Sequence, residues 1–221
     1  MILRFVTILA LLLLGTMAVI AQRGNDFLDL TKVKPPKEEE KGPRTAGGGV
    51  SVSQDTPFPV LQLEITLLKL DRNRYSMGDT VIYEAAIRNV GRDVVVIPWS
   101  PYREQVRANE NYPPGYVEAN VGLVVKDKVF GEQVIFGPWL FGADAAPQTL
   151  KKLRPGQTVR IRASGRWGDF YDANVFQGFL AKLPQRYDVH ARFTLSRHTF
   201  TPQPQPIISG NSMNVELRKR Q

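Results

Sequence analysis

The feature that most constrains the fold is a strict alternation of apolar and polar residues late in the chain. From Tyr187 to Ser196, apolar side chains at odd positions alternate with polar ones at even positions. A period of two places successive side chains on opposite faces of a strand, so this segment predicts a half-buried β-strand. The same period recurs at Val81–Ile87, Val159–Ala163 and Met213–Leu217. The chain is therefore expected to be built mainly from strands.

Turn signals separate these segments at short intervals. Ser76–Asp79 and Asn89–Arg92 combine glycine with polar residues, and Arg154–Gln157 places proline before glycine, as a type II turn requires. The sequence shows no strand–helix–strand rhythm. Seven or more short strands without that rhythm predict an all-β fold, an antiparallel β-sandwich.

Two irregularities are expected within this sandwich. The apolar phase of the first strand slips by one residue at Leu67-Leu68, which predicts a β-bulge or a crossing between sheets. A helical period appears between Val175 and Leu183, after Asp172 as the expected N-cap. We therefore predict long loops and at most one short helix.

The first residues have the composition of an export signal. Arg4 precedes an apolar run over Phe5–Ile20, and Val19-Ile20-Ala21 places short residues where a signal peptidase cleaves. The run is shorter than the roughly 20 residues of a membrane-spanning helix. We expect cleavage near Ala21, a signal peptide over residues 1–21, and an exported protein that is periplasmic or extracellular. The alternative is a retained N-terminal anchor, and only then would the protein be bound to the membrane.

A polar segment separates this signal from the strands. Residues 22–57 contain Pro35-Pro36, the acidic run Glu38–Glu40 and Gly47–Gly49, with few apolar residues. Such a segment does not bury enough apolar surface to offset its ordering entropy, so it predicts a disordered linker. Residues 58–221 then form one domain, which is long enough for a single core.

Composition excludes several kinds of chemistry. The absence of cysteine removes disulfides, thiolate metal sites and cysteine nucleophiles. The formal net charge is +8, and residues 1–21 contribute only Arg4 to it. Basic residues are interleaved with acidic ones except in the tail Arg218–Arg220, which we interpret as solvated. The charge favours acidic partners in general, but without a dense basic stripe we expect no nucleic-acid partner.

A set of turns and strand residues carries a resemblance to known folds: Tyr75–Val81, Tyr83, Ile87, Asn89–Gly91, Leu153–Gln157 and Tyr187. In these residues the chain resembles the immunoglobulin-like sandwiches of exported bacterial proteins. The resemblance implies the same fold for residues 58–221 and a tyrosine-corner role for Tyr187. The chain departs from the pattern in lacking a cysteine pair and in a long excursion between Ser100 and Val117. Its first part is also similar to a small proteinase-inhibitor sandwich known from bacilli, with a comparable pattern of strand, turn and asparagine.

Motifs for catalysis or metal binding are weak in this sequence. His190 and His198 lie eight positions apart without cysteine, which is poor spacing for a zinc site. The serine–glycine segments do not match the nucleophile elbow G-x-S-x-G. Asp169 and Asp172 are the first carboxylates to test for glycoside hydrolysis, although we interpret them as loop acids. We predict that the protein is not an enzyme and has no catalytic residues, metal or cofactor.

Three loops concentrate aromatic residues beside polar ones, and these are the candidate partner-binding positions. Rigid aromatic side chains on loops suit protein recognition or stacking on sugar rings. The alternative is that each side chain folds back over one end of the core. The candidates are Trp99, Tyr102, Tyr112 and Tyr116 in the first loop, Trp139 in the second, and Arg166, Trp167 and Tyr171 in the third.

These loops support three functional hypotheses. The leading one is a non-catalytic binding or assembly module that recognises a protein partner through its aromatic loops. The second is a proteinase inhibitor of sandwich type, in which a loop such as Arg103–Tyr116 occupies a protease cleft. The third is a carbohydrate-binding module for cell-envelope glycan that uses Trp99, Trp139 or Trp167. If the first and third loops meet at the same end of the sandwich, they form one site.

Overall fold

The computed structural model of the protein describes residues 26–33, 62–106, 113, 115–129, 131–168, 173–197 and 206–220. The predicted signal peptide lies outside this part of the chain, so its cleavage and the export of the protein stay predictions. Over the described ranges, no helix is long and apolar enough to cross a membrane.

Four strands form the first sheet, which in spatial order contains β1 (Phe27–Asp29), β10 (Thr158–Arg166), β4 (Thr80–Asn89) and β2 (Leu63–Leu70). β4 pairs antiparallel with both of its neighbours, whereas β1 pairs parallel with β10. The predicted alternation of β4 is confirmed, because Val81, Tyr83, Ala85 and Ile87 are all buried.

The second sheet contains, in order, β3 (Arg74–Ser76), β13 (Met213–Arg218), β11 (Gln185–Arg197), β6 (Val117–Asp127) and β7 (Gly131–Ile135). Two short strands extend it: β12 (Ile207–Ile208) pairs with β11, and β8 (Trp139–Gly142) pairs with β6. A separate two-stranded sheet contains β5 (Val95–Pro98) and β9 (Leu150–Leu153). The remaining elements are the helix α1 (Ala173–Lys182) and the 3-10 turns Arg103–Gln105 and Pro147–Thr149.

A single core joins the two main sheets. Inward side chains of β2, β4 and β10 belong to the same buried cluster as those of β6, β11 and β13. The hydroxyl of Tyr83 crosses this core and donates to the carbonyl oxygen of Val121 at 2.7 Å. Burial raises the pKa of this hydroxyl well above its usual range. The all-β prediction is confirmed, and two sheets that share a core form a sandwich.

The prediction of a purely antiparallel fold is wrong at two strand pairs. β1 runs parallel to β10, and β3 runs parallel to β13. Both are three-residue strands at the edge of a sheet, and β3 reaches its sheet by a crossing from β2. A chain that crosses directly from one sheet to the other continues in the same direction, which explains a parallel pairing at the new edge.

The predicted irregularity in the first strand is confirmed as a bulge. The pairing of β2 with β4 shifts between Leu67 and Lys69. The side-chain amide of Asn211 replaces the lost pairing: it accepts from the Leu67 N–H at 3.0 Å and donates to the Leu67 carbonyl oxygen at 2.7 Å. The crossing to the other sheet occurs later, between Leu70 and Arg74.

The segment predicted to be a mostly disordered linker, residues 22–57, contains one ordered stretch at residues 26–33. Leu30 is 3% exposed and joins the main core. Its N–H donates to the Arg162 carbonyl oxygen at 2.7 Å, and the Asp26 carbonyl oxygen accepts from Arg160 N–H at the same distance. A 2.7 Å ion pair between Asp26 and Lys151 adds to this attachment. Pairing with β10 and burial of Leu30 offset the ordering entropy that composition alone left uncompensated.

Candidate binding pocket

The first aromatic loop folds largely against the protein itself. Tyr116 is 3% exposed and packs with Val106 and Ala143 in a small second cluster, and Trp99 packs against the main core. Tyr102 is the more open residue of this loop, with 38% of its surface exposed. Tyr112 lies outside the described residues. In this loop, therefore, only Tyr102 among the described candidates presents a large free surface.

The second and third loops differ in exposure. Trp139 at the start of β8 is 42% exposed. Trp167 follows β10 and is 1% exposed, so its ring is almost wholly buried. Its ring packs against Tyr75, with ring centroids 5.6 Å apart. Tyr171 lies outside the described residues.

Tyr75 fixes the loop on which Trp167 rests. Its hydroxyl lies 2.7 Å from the Arg72 carbonyl oxygen and 2.8 Å from an Asp71 carboxylate oxygen. The guanidinium of Arg72 stacks 4.8 Å from the centroid of the Tyr75 ring. Burial, and then the hydrogen bond that the hydroxyl donates to Asp71, raise the pKa of Tyr75 above its usual range, so the hydroxyl stays protonated. This arrangement holds the β3–β4 turn against the end of β10.

The first and third loops do not converge. Tyr116 precedes Val117, which pairs with Arg197 at the end of β11. Trp167 accepts a hydrogen bond from Gly78, in the turn after β3. Met77 in the same turn donates to the Arg218 carbonyl oxygen, and Leu217, the residue before Arg218, pairs with Gln185 at the start of β11. That strand has 13 residues and is about 40 Å long at the usual rise. The described parts of the two loops therefore lie at opposite ends of β11, and the described candidates do not form one site.

A pocket of about 670 Å³ lies at the Trp167 end of the sandwich. Four segments that are distant in sequence meet around it: the turn after β3, the end of β10, helix α1 and the chain after β13. We call it the Trp167 pocket. Its lining residues are Met77, Gly78, Arg166, Trp167, Gly168, Gln177, Leu180, Ala181, Lys219 and Arg220.

Three cations line this pocket without an acidic partner in the described part of the chain. The Arg166 Nε donates to the Gly78 carbonyl oxygen at 3.2 Å, and no ion pair engages Arg166, Lys219 or Arg220. Terminal nitrogens of Arg166 and Arg220 both lie within 4 Å of the place that a Cβ on Gly78 would occupy. The two guanidinium groups therefore flank one backbone position.

Three neighbouring arginines, unlike the cations of the pocket, pair with acidic residues. Arg72 pairs with Asp79 at 3.2 Å. Arg74 and Arg218 both pair with Glu216, at 3.4 and 2.7 Å. The hydrogen bond from Arg218 is the main cause that lowers the pKa of Glu216. The charges of Arg218, Arg74 and Arg186 lower it further.

Trp167 contributes a buried donor to the same site. Its indole Nε1 is buried, and no acceptor for it is present among the described residues. Buried donors in native proteins are nearly always paired, so an unpaired one marks a position with a structural or functional reason. The backbone groups of Trp167 are hydrogen-bonded within the fold. The Gly78 N–H donates to the Trp167 carbonyl oxygen at 2.8 Å, and the Trp167 N–H donates to the Asp79 carbonyl oxygen at 2.9 Å.

A buried ion pair fixes the helix that forms one wall. Lys182 at the end of α1 lies 3.0 Å from a carboxylate oxygen of Asp127, whose side chain is 2% exposed. Burial, and then the charge of Asp127, raise the pKa of the nearby Tyr187 to about 12. The following Leu183 is buried in the main core. These contacts hold α1 beside the sandwich and keep Gln177, Leu180 and Ala181 at the pocket.

The structure gives no metal site among the residues that it describes, since no three histidine, aspartate or glutamate side chains come together there. His190 uses its Nδ1 in a 3.0 Å hydrogen bond with the Ser209 carbonyl oxygen. His198, Asp169 and Asp172 lie outside the described residues, so the predictions about them stay predictions.

The sequence predicts some residues of this pocket and does not predict others. Arg166 and Trp167 are among the predicted positions, whereas Lys219 and Arg220 belong to a tail that we interpreted as solvated. The basic run Arg218–Arg220 was the available signal. Its role depends on the pairing of β13 with β11 and β3, which brings the tail to the end of β10.

Comparisons with known proteins give only weak similarities. No family model and no curated protein matches the chain. A Pseudomonas fluorescens alkylpurine DNA glycosylase bound to DNA is 11% identical over 71% of this chain and 30% of its own, with a TM-score of 0.35. A Bacillus subtilis sporulation control protein is 9% identical over 72% and 50%, with a TM-score of 0.33. A Listeria innocua β-glucosidase is 14% identical over 84% and 21%, with a TM-score of 0.33. The chain spans half or less of these proteins, and similarity this low assigns neither a fold nor a function.

Proposed function

We propose that the protein is an exported, non-catalytic binding module that holds part of a protein partner in the Trp167 pocket. The observation that carries this proposal is a set of three cations around a concave site, Arg166, Lys219 and Arg220, which have no acidic partner among the described residues. Cationic side chains confined to a cleft focus the electrostatic field and attract an oppositely charged group. Ion pairs of Arg72, Arg74 and Arg218 reduce the competing positive charge beside the pocket.

The pocket also has the size and the composition of a binding site. Its volume of about 670 Å³ falls within the range of ligand pockets. The apolar residues Met77, Trp167 and Leu180 line it together with the charged groups and Gln177, and of these three Leu180 is the more exposed. Apolar walls with a few convergent polar groups are typical of sites that bind a defined group.

We further infer that the scaffold has immunoglobulin-like topology. β2, β4 and β10 in one sheet, and β6, β11 and β13 in the other, occupy the chain order of strands A, B, E and C, F, G in that fold. The crossing from β2 to β3 supports this inference, because it splits the first strand between the two sheets. Such sandwiches present binding loops at their ends, where the Trp167 pocket lies.

The carbohydrate alternative has support from one residue. Among the three tryptophans, Trp139 has the most open ring, because Trp167 is buried and Trp99 packs against the core. A single open ring is a limited platform for a sugar. The inhibitor alternative concerns a loop whose residues 107–112 lie outside the described part of the chain. We therefore favour the protein-binding proposal over both.

A photoreactive amino acid in place of Gln177 tests this function in intact source cells. Gln177 lines the pocket and is exposed, so a bound partner lies within reach of it. We expect a discrete crosslinked species from this position, and its loss when Arg166→Gln and Arg220→Gln are combined. The same amino acid in place of the exposed Glu132 on β7 is the control. The proposal fails if position 177 gives no crosslinked species, or if positions 177 and 132 give the same ones.

A further inference from the structure

We propose that the Trp167 pocket binds a side-chain carboxylate, carried by an acidic segment of the partner that has an apolar residue next to the acid. This inference rests on the binding function proposed above and specifies the chemistry of its ligand. It follows from the kind of donors at the pocket, from the apolar surface beside them and from the distribution of charge around them.

The donors at the pocket are side-chain cations. Arg166 and Arg220 flank Gly78, and Lys219 lines the same pocket. Guanidinium groups present donors in a planar fork that matches the two oxygens of a carboxylate. Two of them around one position bring several charge-assisted donors to a single anionic group.

The backbone argues against phosphate as the preferred anion. Phosphate sites commonly use a cradle of unpaired backbone N–H groups. Here the N–H groups of Met77, Gly78 and Trp167 all donate within the fold, to Arg218, Trp167 and Asp79 respectively. These three N–H groups are therefore not free to bind an anion. Recognition by the side-chain guanidinium groups favours a carboxylate, whose two oxygens match their donors.

The apolar lining indicates what lies next to the acid. The partly buried Leu180 presents apolar surface at the same pocket as the cations, and the almost wholly buried Trp167 and Met77 line it as well. An apolar side chain of the partner, adjacent to its acidic residue, would cover this surface.

The charge distribution favours a discrete acidic group over a polyanion. Nucleic acids and polyanionic glycans need an extended basic stripe to follow their charge. Arg72, Arg74 and Arg218, the neighbouring arginines, are paired with acidic residues. The pocket itself brings together three cations that have no acidic partner among the described residues, which suits one or two carboxylates.

The test measures the binding of blocked peptides to the full chain by NMR. The probes are a Glu-Leu-Glu peptide, its Gln-Leu-Gln counterpart and inorganic phosphate. We expect the glutamate peptide to shift the Trp167 indole N–H resonance in a saturable way, and the glutamine peptide to leave it in place. The combination of Arg166→Gln and Arg220→Gln should weaken binding about tenfold or more. Added salt should also weaken it, because the attraction is between charges.

The matched control removes the same charge elsewhere. Arg92 and Arg154 are exposed, lie near the opposite end of β4 and make no ion pair among the described residues. Arg92→Gln combined with Arg154→Gln should keep the affinity of the unchanged chain. Equal loss in both double variants, or equal binding of the two peptides, would overturn the proposal. Tighter binding of phosphate than of the glutamate peptide would overturn it as well, in favour of a phosphate group.

The two proposals can fail separately. A partner crosslinked at position 177, with no preference for the glutamate peptide, would overturn the carboxylate assignment and leave the binding function standing. Specific binding of the glutamate peptide without any crosslinked partner would support the pocket chemistry and contradict the proposed function in cells.

Discussion

Asn89 is a fully buried residue whose side chain pairs with three backbone groups. Its Nδ2 donates to the carbonyl oxygens of Asp93 and Leu153 at 2.7 and 2.9 Å, and its Oδ1 accepts from Gly91 N–H at 2.9 Å. We expect Asn89→Ala to lower the free energy of unfolding by about 2–3 kcal/mol, because buried backbone groups lose their partners. Urea unfolding, with a lower midpoint and an unchanged slope, measures this change.

An exposed asparagine provides the control for this substitution. Asn214 on β13 makes a single 3.3 Å hydrogen bond to Asp188 at the surface. We expect Asn214→Ala to change the free energy of unfolding by less than about 0.5 kcal/mol. Similar effects of the two substitutions would show that the buried contacts of Asn89 do not stabilise the turn.

The roles of individual residues are the feature that is hardest to predict from the sequence. The turn at Asn89–Gly91 is predicted by residue type, but the contact with Leu153 joins segments 64 positions apart and has no local signal. Likewise, the resemblance assigns a tyrosine corner to Tyr187, whereas the bond from a tyrosine hydroxyl to a carbonyl three residues upstream is present at Tyr75. Both tyrosines are buried residues of strands, and the strand pattern does not predict which hydroxyl makes this bond.

At the scale of elements, β1 is attached through groups that titrate. The Asp29 carboxylate accepts from the N–H and the hydroxyl of Thr31, at 3.0 and 2.5 Å. The hydroxyl hydrogen bond is the main cause that lowers the pKa of Asp29 below its usual 3.8. Because the folded-state pKa is depressed, this contribution is present above about pH 3.8 and is lost as the pH falls through the lower, folded value.

We therefore expect the attachment of β1 to weaken in acid before the core strands open. Hydrogen exchange of the Leu30 N–H, which donates to Arg162 across the β1–β10 pair, measures this opening. Its protection factor should fall below pH 3.8 while that of Val189 on β11 is kept. Asp29→Ala should lower the protection of Leu30 at neutral pH and remove the acid-dependent step. Unchanged protection in this variant would contradict the proposed role of Asp29.

The elements that sequence predicts correctly are those that bury one whole face. β4, β10 and β11 alternate over their full length because each lies inside a sheet, and their partners do not alter that pattern. β1 and β8 have three and four residues, which is too short for a period to show. Their positions depend on the strands that they join, β10 and β6, so local sequence carries little information about them.

At the scale of the whole molecule, sequence predicts the sandwich but not the placement of its loops. Counting strands and turns is sufficient for an all-β fold around one core, because every alternating strand needs a partner face. Which loops share an end depends on strand pairings such as β13 with β11, between residues far apart in sequence. This explains why the aromatic loops are separated while the tail residues Lys219 and Arg220 join Arg166 and Trp167.

One core that extends from end to end also predicts how distant changes combine. Asp127→Asn at the pocket end removes the carboxylate that pairs with Lys182, and Asn89→Ala acts at the opposite end of β4. The two sites share no contact, so we expect their effects on the free energy of unfolding to add within about 0.5 kcal/mol in a single cooperative transition. The contact pair Asp127→Asn and Lys182→Gln should instead deviate from additivity by about 0.5–3 kcal/mol. Two separate unfolding transitions would contradict a continuous core, because one core unfolds in one cooperative event. Strong coupling between Asn89 and Asp127 would contradict the independence of the two sites.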